Sequence, residues 1–253
     1  MAVEWQLTAV EFDVVWRELG LGDPVYPIDV PSPGPTHQDR ARLVGAVLED
    51  LAERGVLDGG ELPPALVRTL TSLAGAEVLI DGRVQLRDHL RVAATRAGDE
   101  AAMVMQLGDE VRVRAFDGAR LSAALAELLP PVPPAPGHSM SLSYRALTEA
   151  LAELGRGGGL WEFEHSLRTS GVRGPDARRL AGLVGGEQAS GAQFGVTLRG
   201  RGGVHRAGTV SWFATPEGGG VLVQRQGDSD WVSVVPGDAA RLVVRLEELA
   251  AGR

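Results

Sequence analysis

The sequence contains no cysteine, no lysine and no asparagine among its 253 residues. Without cysteine the chain cannot form disulfides, thiolate nucleophiles or zinc–cysteine sites. Without lysine it has neither the lysine of a Walker A phosphate loop nor the amine needed for Schiff-base chemistry. Since asparagine is not available for left-handed turns, that role falls largely on glycine, and the chain has 34 glycines. These absences exclude several large classes of enzyme.

The charge balance is acidic, with a formal net charge of -8 at pH 7. A surface that binds duplex nucleic acid needs a basic stripe to displace counterions, so we expect no nucleic-acid partner. The first residues include Glu4, Glu11 and Asp13, where a signal peptide needs a basic start and an unbroken apolar run. No apolar run approaches the roughly 20 residues of a membrane span. We therefore expect a cytoplasmic protein without membrane insertion.

Two parts of the chain repeat each other. The stretch from Asp117 to Leu128 matches the stretch from Asp238 to Leu249 without a gap, and both read as a tight turn followed by a helix. Further upstream, "LTAVEFDVVWRELG" (Leu7 to Gly20) aligns with "LSYRALTEALAELG" (Leu142 to Gly155), again without a gap. The sequence therefore indicates a diverged duplication.

A proline-rich stretch, "PPVPPAPG", separates the two copies. Its prolines cannot continue a helix and favour an extended, fairly stiff connector. We predict a single domain, residues 1–253, made of two pseudo-repeats, 1–129 and 139–253, joined by a linker at 130–138.

Each copy is predicted to contain helices followed by an antiparallel meander and a closing helix. In the first copy, the spacing of apolar residues predicts helices after Thr8, from Asp39 and over Ala65 to Leu73. The predicted strands lie near Glu77–Asp81, His89–Thr95, Ala101–Leu107, Val111–Ala115, Phe194–Leu198, Gly208–Ala214, Gly220–Gln224 and Trp231–Val235. Because joined sheets leave fewer exposed edges, we expect one central antiparallel sheet flanked by two helical bundles, an α+β fold with pseudo-twofold symmetry.

The sequence carries no clear catalytic constellation. The five histidines form no HxxxH or HxxEH pair, so we expect no metal site and no cofactor. The stretch "GHSMS" resembles a nucleophile elbow but lacks its second glycine, and Ser139, Ser141 or Ser143 is better interpreted as a helix N-cap. A small serine hydrolase with its nucleophile at Ser139 or Ser141 stays open as an alternative.

The aromatic residues of the second copy suggest a binding surface. Trp212 and Phe213 are adjacent in one predicted strand, so they point to opposite faces and at most one can enter the helix-covered core. Trp161 and Phe163 form an apolar pair with no counterpart in the first copy. We expect Trp212 or its strand neighbour to contact a partner and Trp231 to be structural.

Four stretches together resemble one known family. They are the opening "LTAVEFDVVWRELGLGDPVYPIDVPSPGPT", the helix "LVGAVLEDLAERGVLDGGEL", the linker "PPVPPAPGHSMSLSY" and the long segment "AQFGVTLRGRGGVHRAGTVSWFATPEGGGVLVQRQGDSDWVSVVPGDAARL". In order and spacing they resemble the EspG family of type VII (ESX) secretion-associated proteins of actinobacteria, over nearly the full length of the chain.

The resemblance implies a cytosolic, non-enzymatic chaperone. Members of the family bind a heterodimer of PE and PPE secretion substrates at the PPE tip and shield its apolar loop from self-association. Their contact surface is the central sheet with the second helical bundle, which by position implies the partner-binding residues Arg91, Thr95, Arg96, Trp161, Phe163, Trp212, Val223 and Arg225. A structural protein that homodimerises through its sheet is a further alternative, and the free chaperone could also form a homodimer.

Overall fold

The computed structural model describes residues 3–185, 190–215, 218–225 and 229–252. The first half of the chain begins with a strand and three helices, which a four-stranded meander and a short helix follow. These elements are β1 (Val3–Thr8), α1 (Ala9–Glu18), α2 (His37–Glu53), α3 (Pro64–Gly75), β2 (Val78–Gln85), β3 (His89–Ala97), β4 (Glu100–Leu107), β5 (Glu110–Asp117) and, after a 3-10 turn at Gly118–Arg120, α4 (Leu121–Ala126).

The second half repeats this order of elements. It comprises β6 (Met140–Ser143), α5 (Tyr144–Gly155), α6 (Leu160–Thr169), α7 (Gly174–Val184), β7 (Gly191–Gly200), β8 (Gly203–Ala214), β9 (Gly220–Arg225), β10 (Trp231–Pro236) and α8 (Ala239–Ala250).

The ten strands form one antiparallel sheet in the order β1-β5-β4-β3-β2-β7-β8-β9-β10-β6. From one edge inward the order is β1-β5-β4-β3-β2, and from the other edge inward it is β6-β10-β9-β8-β7, so equivalent strands occupy equivalent places. The predicted α+β class is confirmed, and each of the eight predicted strands corresponds to an observed one. The division of the chain into two pseudo-repeats remains a prediction, which this strand order supports.

The sequence did not predict the two outermost strands. Both strands alternate apolar and polar residues, VEWQLT in β1 and MSLS in β6, but each leads directly into a helix, and only the helical pattern that follows was predicted there. They are defined by antiparallel pairing with β5 and β10, where Thr8 lies opposite Glu110 and Ser143 lies opposite Trp231. Long-range pairing decides their conformation.

Repeated residues begin the equivalent helices in both halves. The Thr8 hydroxyl accepts a hydrogen bond from the backbone N–H of Glu11, and the Ser143 hydroxyl does the same for Ala146. Asp117 caps the turn before α4, and Asp238 caps α8. These side chains satisfy backbone donors that the first turn of a helix leaves without a partner.

The described chain divides into two compact units. The first comprises Met1–Arg83, Asp88–Leu121 and Thr197–His205, and the second comprises Val84–Arg87, Ser122–Val196 and Arg206–Arg253. In the first unit, helices α1 to α3 cover one face of the strands. Their shared core includes Phe12, Trp16, Leu51, Leu66, Leu70, Ala93, Val104 and Val113.

Helix α1 of the first unit also carries a buried carboxylate that holds a loop in place. Asp13 is fully buried, and its oxygens lie 2.8 Å from Arg17 Nε and 2.7 Å from Arg40 Nη1. The Ser32 hydroxyl donates to the same carboxylate over 3.2 Å. A buried charge is tolerated only when it is paired and hydrogen-bonded, so Asp13 ties α2 and the segment before it to α1.

In the second unit, helices pack on both faces of the strands. On one face α5 to α7 enclose a core that includes Leu142, Phe163, Leu180, Val221 and Val234. On the other face, a Cβ at Gly208 of β8 would come within 2.6 Å of a methyl group of Leu249, which shows how closely α8 packs there.

The proline-rich linker is tied to the second unit. Ala135 donates its backbone N–H to the Gly220 carbonyl over 2.9 Å. The Arg179 guanidinium donates to the Pro136 carbonyl over 2.8 Å. Gly137 has a φ of +110°, and a Cβ there would lie 2.4 Å from the Arg179 guanidinium, so glycine is needed at this position.

Candidate functional site

An open groove of about 350 Å³ lies in the second unit between the start of α5 and strands β7 to β10. Tyr144 and Leu147 of α5 form one wall, while side chains of the strands form the floor. The lining consists of Tyr144, Leu147, Gln193, Arg206, Ala207, Gly208, Thr209, Ser211, Val223, Arg225 and Val232. We call it the α5 groove.

Strand alternation brings the floor residues to one face. Val223 lies opposite Ser211 of β8, and Arg225 lies opposite Val232 of β10, so these four side chains point the same way. Tyr144 is the first residue of α5, directly after its cap. The cap therefore determines where the aromatic ring stands.

Arg225 is held in a defined position in the groove. Its guanidinium carbon lies 4.5 Å from the centre of the Tyr144 ring, a cation–π contact. Its Nε donates a hydrogen bond to the Ser229 carbonyl over 3.0 Å. The side chain is nevertheless exposed, so it can meet a partner with little further ordering.

A second guanidinium lies across β7. A Cβ at Gly195 would fall 1.3 Å from Arg206 Nη2, so the Arg206 side chain occupies the space that a side chain at Gly195 would need. Beside it, Gln193 Nε2 donates to the Ser211 hydroxyl over 3.4 Å. Glycine at position 195 therefore allows Arg206 to lie flat over the sheet.

The groove combines apolar walls with positive charge. Its described lining contains two arginines and no aspartate or glutamate, although the whole protein has a formal charge of -8. Tyr144, Leu147, Val223 and Val232 supply the apolar surface. Such a site can bury an apolar side chain and pair with a carboxylate at the same time.

The structure brings two of the predicted contact residues together here, Val223 and Arg225. Sequence reasoning missed their neighbours Tyr144 and Arg206. The predicted serine cap of α5 was the one signal that could have identified Tyr144, because the residue after a cap starts the helix.

Trp161 lies apart from the α5 groove, on α6. Its side chain is 71% exposed and stacks on His165 with 5.1 Å between ring centres. A shallow groove of about 540 Å³ runs beside it, with Glu149, Glu153 and Glu162 in its lining. A large exposed aromatic side chain of this kind is typical of a protein-binding surface.

Two predicted aromatic contacts are buried. Phe163 is 0% exposed in the core beneath α5 to α7, and Trp212 is 1% exposed with its Nε1 donating to the Gly237 carbonyl over 3.0 Å. Trp231 is 54% exposed instead. The assignment of Trp212 as a contact and Trp231 as structural is corrected, because Trp212 lies on the same face of β8 as Gly208, the face against which α8 packs. Phe213, the strand neighbour, packs partly buried against the α5 to α7 core.

The remaining predicted contacts lie on β3 in the first unit. Arg91 Nη1 is 3.3 Å from Asp29 Oδ2, Thr95 is buried, and Arg96 is half-buried. Because Thr95 is buried, its side chain is not accessible to a partner.

The serines proposed as nucleophiles do not meet a histidine. Ser141 Oγ lies 3.4 Å from Ser233 Oγ, and neither Ser139 nor Ser141 has a hydrogen bond to His138 among the described residues. His138 Nε2 lies 3.1 Å from Asp176 Oδ1 instead. A hydrolase triad needs hydroxyl, imidazole and carboxylate in sequence, and only the last two are joined here.

The hydrogen bonds that Asp176 accepts change the pKa of its carboxyl group. Arg173 donates to its carboxylate at 2.7 Å, and this hydrogen bond, followed by that of His138, holds the pKa of Asp176 below its ordinary value. Among the described residues, no group of three or more acidic or histidine side chains could hold a metal ion. Within the same ranges, no helix is both long and apolar enough to cross a membrane.

Comparison with known proteins gives one family and one fold. The chain has a TM-score of 0.69 and 14% identity with a solved structure described as the Mycobacterium tuberculosis type VII secretion system chaperone EspG5 in complex with PE25-PPE41 dimer, over 98% of this chain and 95% of that one. No curated protein matches. The sequence profile of the EspG family matches residues 8–248. The chain belongs to the EspG family.

Proposed function

We propose that this chain is a cytosolic chaperone of type VII secretion, which binds a PE/PPE-like heterodimer and keeps it soluble for export. One observation carries the proposal: the chain belongs to the EspG family and shares the fold of EspG5, a chaperone solved with the PE25-PPE41 dimer. In this function the protein acts through binding alone, without a catalytic step, a cofactor or a metal.

The α5 groove supports the proposal because its chemistry suits an apolar tip. Tyr144, Leu147 and Val223 offer apolar surface, and Arg225 adds a fixed positive charge at its rim. Buried aromatic and aliphatic contacts with a surrounding polar rim are the usual source of binding energy in protein interfaces. We propose Val223 and Arg225 as contacts in this groove.

Trp161 is proposed as a second contact on the helical bundle. Its exposed ring lies on α6, and an exposed tryptophan commonly dominates the energy of an interface. Phe163, Trp212 and Thr95 are left out of the proposed contact surface because their side chains are buried.

The experiment is co-expression with the PE/PPE-like pair encoded by neighbouring genes, followed by size exclusion. We expect a complex of one chaperone with one heterodimer, an increase in soluble pair, and no loss of complex in EDTA. Such an interface would bury about 800 Å² on each partner. If the pair stays insoluble and no complex elutes for any neighbouring pair, the proposal is wrong.

A charge-reversal variant links the complex to the groove. Arg225→Glu should weaken the complex and leave thermal unfolding unchanged, because the side chain is exposed. Arg42→Glu on α2, whose side chain is 70% exposed, is the matched control and should bind as the wild type does. Light scattering of the protein alone identifies a homodimer, and a dimer that retains no pair would favour the structural alternative.

A further inference from the structure

The two halves contain equivalent positions on the face that the helical bundles cover. In the first half Gln106 lies opposite Val111, and in the second half Arg225 lies opposite Val232. Val111 and Val232 each pair with the residue just before the helix cap, on β1 and on β6, so Gln106 and Arg225 occupy equivalent positions. Beside Gln106 in the first half lies its partner on β3, Arg91. The residue at the position of Arg91 in the second half is Thr209, which precedes Val210 of β8.

In the first half, a segment of the chain itself fills this position. Gln106 accepts a hydrogen bond from the backbone N–H of Asp29 over 2.9 Å and donates to its carbonyl over 2.6 Å. Arg91 lies 3.3 Å from the Asp29 carboxylate. On either side of Asp29, Ile28 is buried and Val30 packs against the core. The first half thus covers its own groove with an aliphatic–acid–aliphatic segment, Ile28–Val30, that belongs to no helix or strand.

In the part of the second half that the structure describes, no such segment lies over the groove. Helices α1 and α2 are joined by the long stretch 19–36, whereas α5 and α6 are joined only by 156–159. The shorter connection cannot reach over the sheet, and the α5 groove stays open. At the two positions equivalent to Gln106 and Arg91 the groove has Arg225 and Thr209, so the pair again combines one cation with one neutral hydrogen-bonding group, on exchanged strands.

We infer that the α5 groove accepts an extended segment of the partner in which a carboxylate stands between two branched aliphatic residues. The aliphatic side chains would pack on Tyr144, Leu147 and Val223, and the carboxylate would pair with Arg225. This inference rests on the proposed function, since it names what the partner-binding groove recognises. It also predicts a one-to-one complex, because the segment around Asp29 already fills the equivalent position in the first half.

The test uses the segment from the first half as a probe. A fluorescein-labelled peptide of sequence PVYPIDVPS, residues 24–32 of this chain, is titrated with the full-length protein and followed by fluorescence polarisation. We expect it to bind about tenfold more tightly than the same peptide with Asp29→Asn, because a carboxylate–arginine pair is a charge-assisted hydrogen bond. In the Arg225→Ala protein the two peptides should bind alike, while Arg42→Ala should behave as the wild type.

The possible results separate this inference from the proposed function. No binding of the peptide, equal binding of the Asp and Asn peptides, or a preference that survives Arg225→Ala overturns the inference, even if the PE/PPE-like pair still co-elutes with the chaperone. An Arg225-dependent preference supports it, and displacement of the peptide by the purified pair supports it further. If the peptide is recognised but no pair is retained on the column, the proposed function is wrong while the preference of the groove stands.

Discussion

The indole Nε1 of Trp212 donates a hydrogen bond to the backbone carbonyl of Gly237 over 3.0 Å, in the turn that leads into α8. Leu222 lies opposite Trp212 on the neighbouring strand, and the Trp212 side chain is 1% exposed. Both its apolar body and its polar N–H are therefore satisfied within the fold. This relationship assigns Trp212 to the core.

Replacement of Trp212 by alanine should strongly destabilise the protein. Removing a buried aromatic side chain costs about 3–5 kcal/mol, and here the Gly237 carbonyl also loses its donor. Trp231→Ala should cost less than about 1 kcal/mol, since that side chain is 54% exposed. Urea unfolding of both variants measures the difference. If Trp212→Ala lowered the free energy of unfolding no more than Trp231→Ala does, the burial of Trp212 would contribute little to stability.

The two aromatic residues of α6 should separate binding from stability. Trp161→Ala should reduce the affinity for the PE/PPE-like pair at least tenfold, about 1.4 kcal/mol, and leave the melting temperature unchanged. Phe163→Ala should cost about 3–5 kcal/mol of stability, because Phe163 is fully buried. Calorimetric titration with the pair and thermal melts test both. A Trp161→Ala protein that binds the pair normally would remove α6 from the contact surface.

Asp13→Asn should loosen the segment that covers the first-half groove. The substitution leaves Arg40 and Arg17 without their buried carboxylate, and breaking a buried ion pair costs about 3–5 kcal/mol. Hydrogen exchange should increase in residues 22–35, which Arg40 and Ser32 tie to Asp13. Arg42→Ala, which removes an exposed cation from the same helix as Arg40, is the control. Unchanged exchange in this segment would contradict the role given to Asp13.

The stability contributed by Asp176 should depend on pH. Its pKa is lowered in the folded protein, first by Arg173 and then by His138. A carboxylate with a lowered pKa stabilises the fold above its unfolded pKa of about 4, and this contribution is lost as the pH falls through the lower folded-state value.

Asp176→Asn should therefore cost about 1–3 kcal/mol at pH 7 and much less near the acid end of the unfolding profile. Urea unfolding of wild type and variant across this range measures the gap between them. A gap that stays constant as the pH falls would mean that the carboxylate charge is not what stabilises this contact.

The hydroxyl residues before α1 and α5 should affect stability through helix capping and should have no catalytic role. Thr8→Ala and Ser143→Ala each remove an N-cap and should each cost about 1 kcal/mol, whereas Ser139→Ala should change stability by less than about 0.5 kcal/mol. Neither Ser139→Ala nor Ser141→Ala should affect binding of the pair. Esterase activity that disappears in one of these two variants would support the serine hydrolase instead.

Much of the fold follows from local sequence patterns. The eight predicted strands and the helices of the first half are observed, because apolar periodicity and caps such as Thr8 act over a few residues. Helix α2 begins at His37 rather than Asp39, since Thr36 supplies the cap. The gapless match of Leu7–Gly20 with Leu142–Gly155 is reproduced by the pairing registers of β1 and β6.

The candidate site was predicted less well, for a reason visible in single residues. Val223 and Arg225 were identified by position in a family, and both line the α5 groove. Trp212 and Phe163 were identified by residue type as well as by position in the family, and both are buried. Hydrophobic aromatic residues serve cores and interfaces equally well, so their type does not distinguish the two roles.

The α+β class and the helix caps could be predicted from the sequence, since each depends on residues close together in the chain, and the similarity between the two copies predicts the two related halves. Which groove is open could not be predicted in this way, because it depends on contacts between residues far apart in the chain. Gln106 holds Asp29 across a separation in sequence that no local pattern encodes, while the short connection at 156–159 leaves the equivalent surface beside Arg225 uncovered. Whether a side chain is buried depends on which other elements pack over it, and these contacts form only when the whole chain folds.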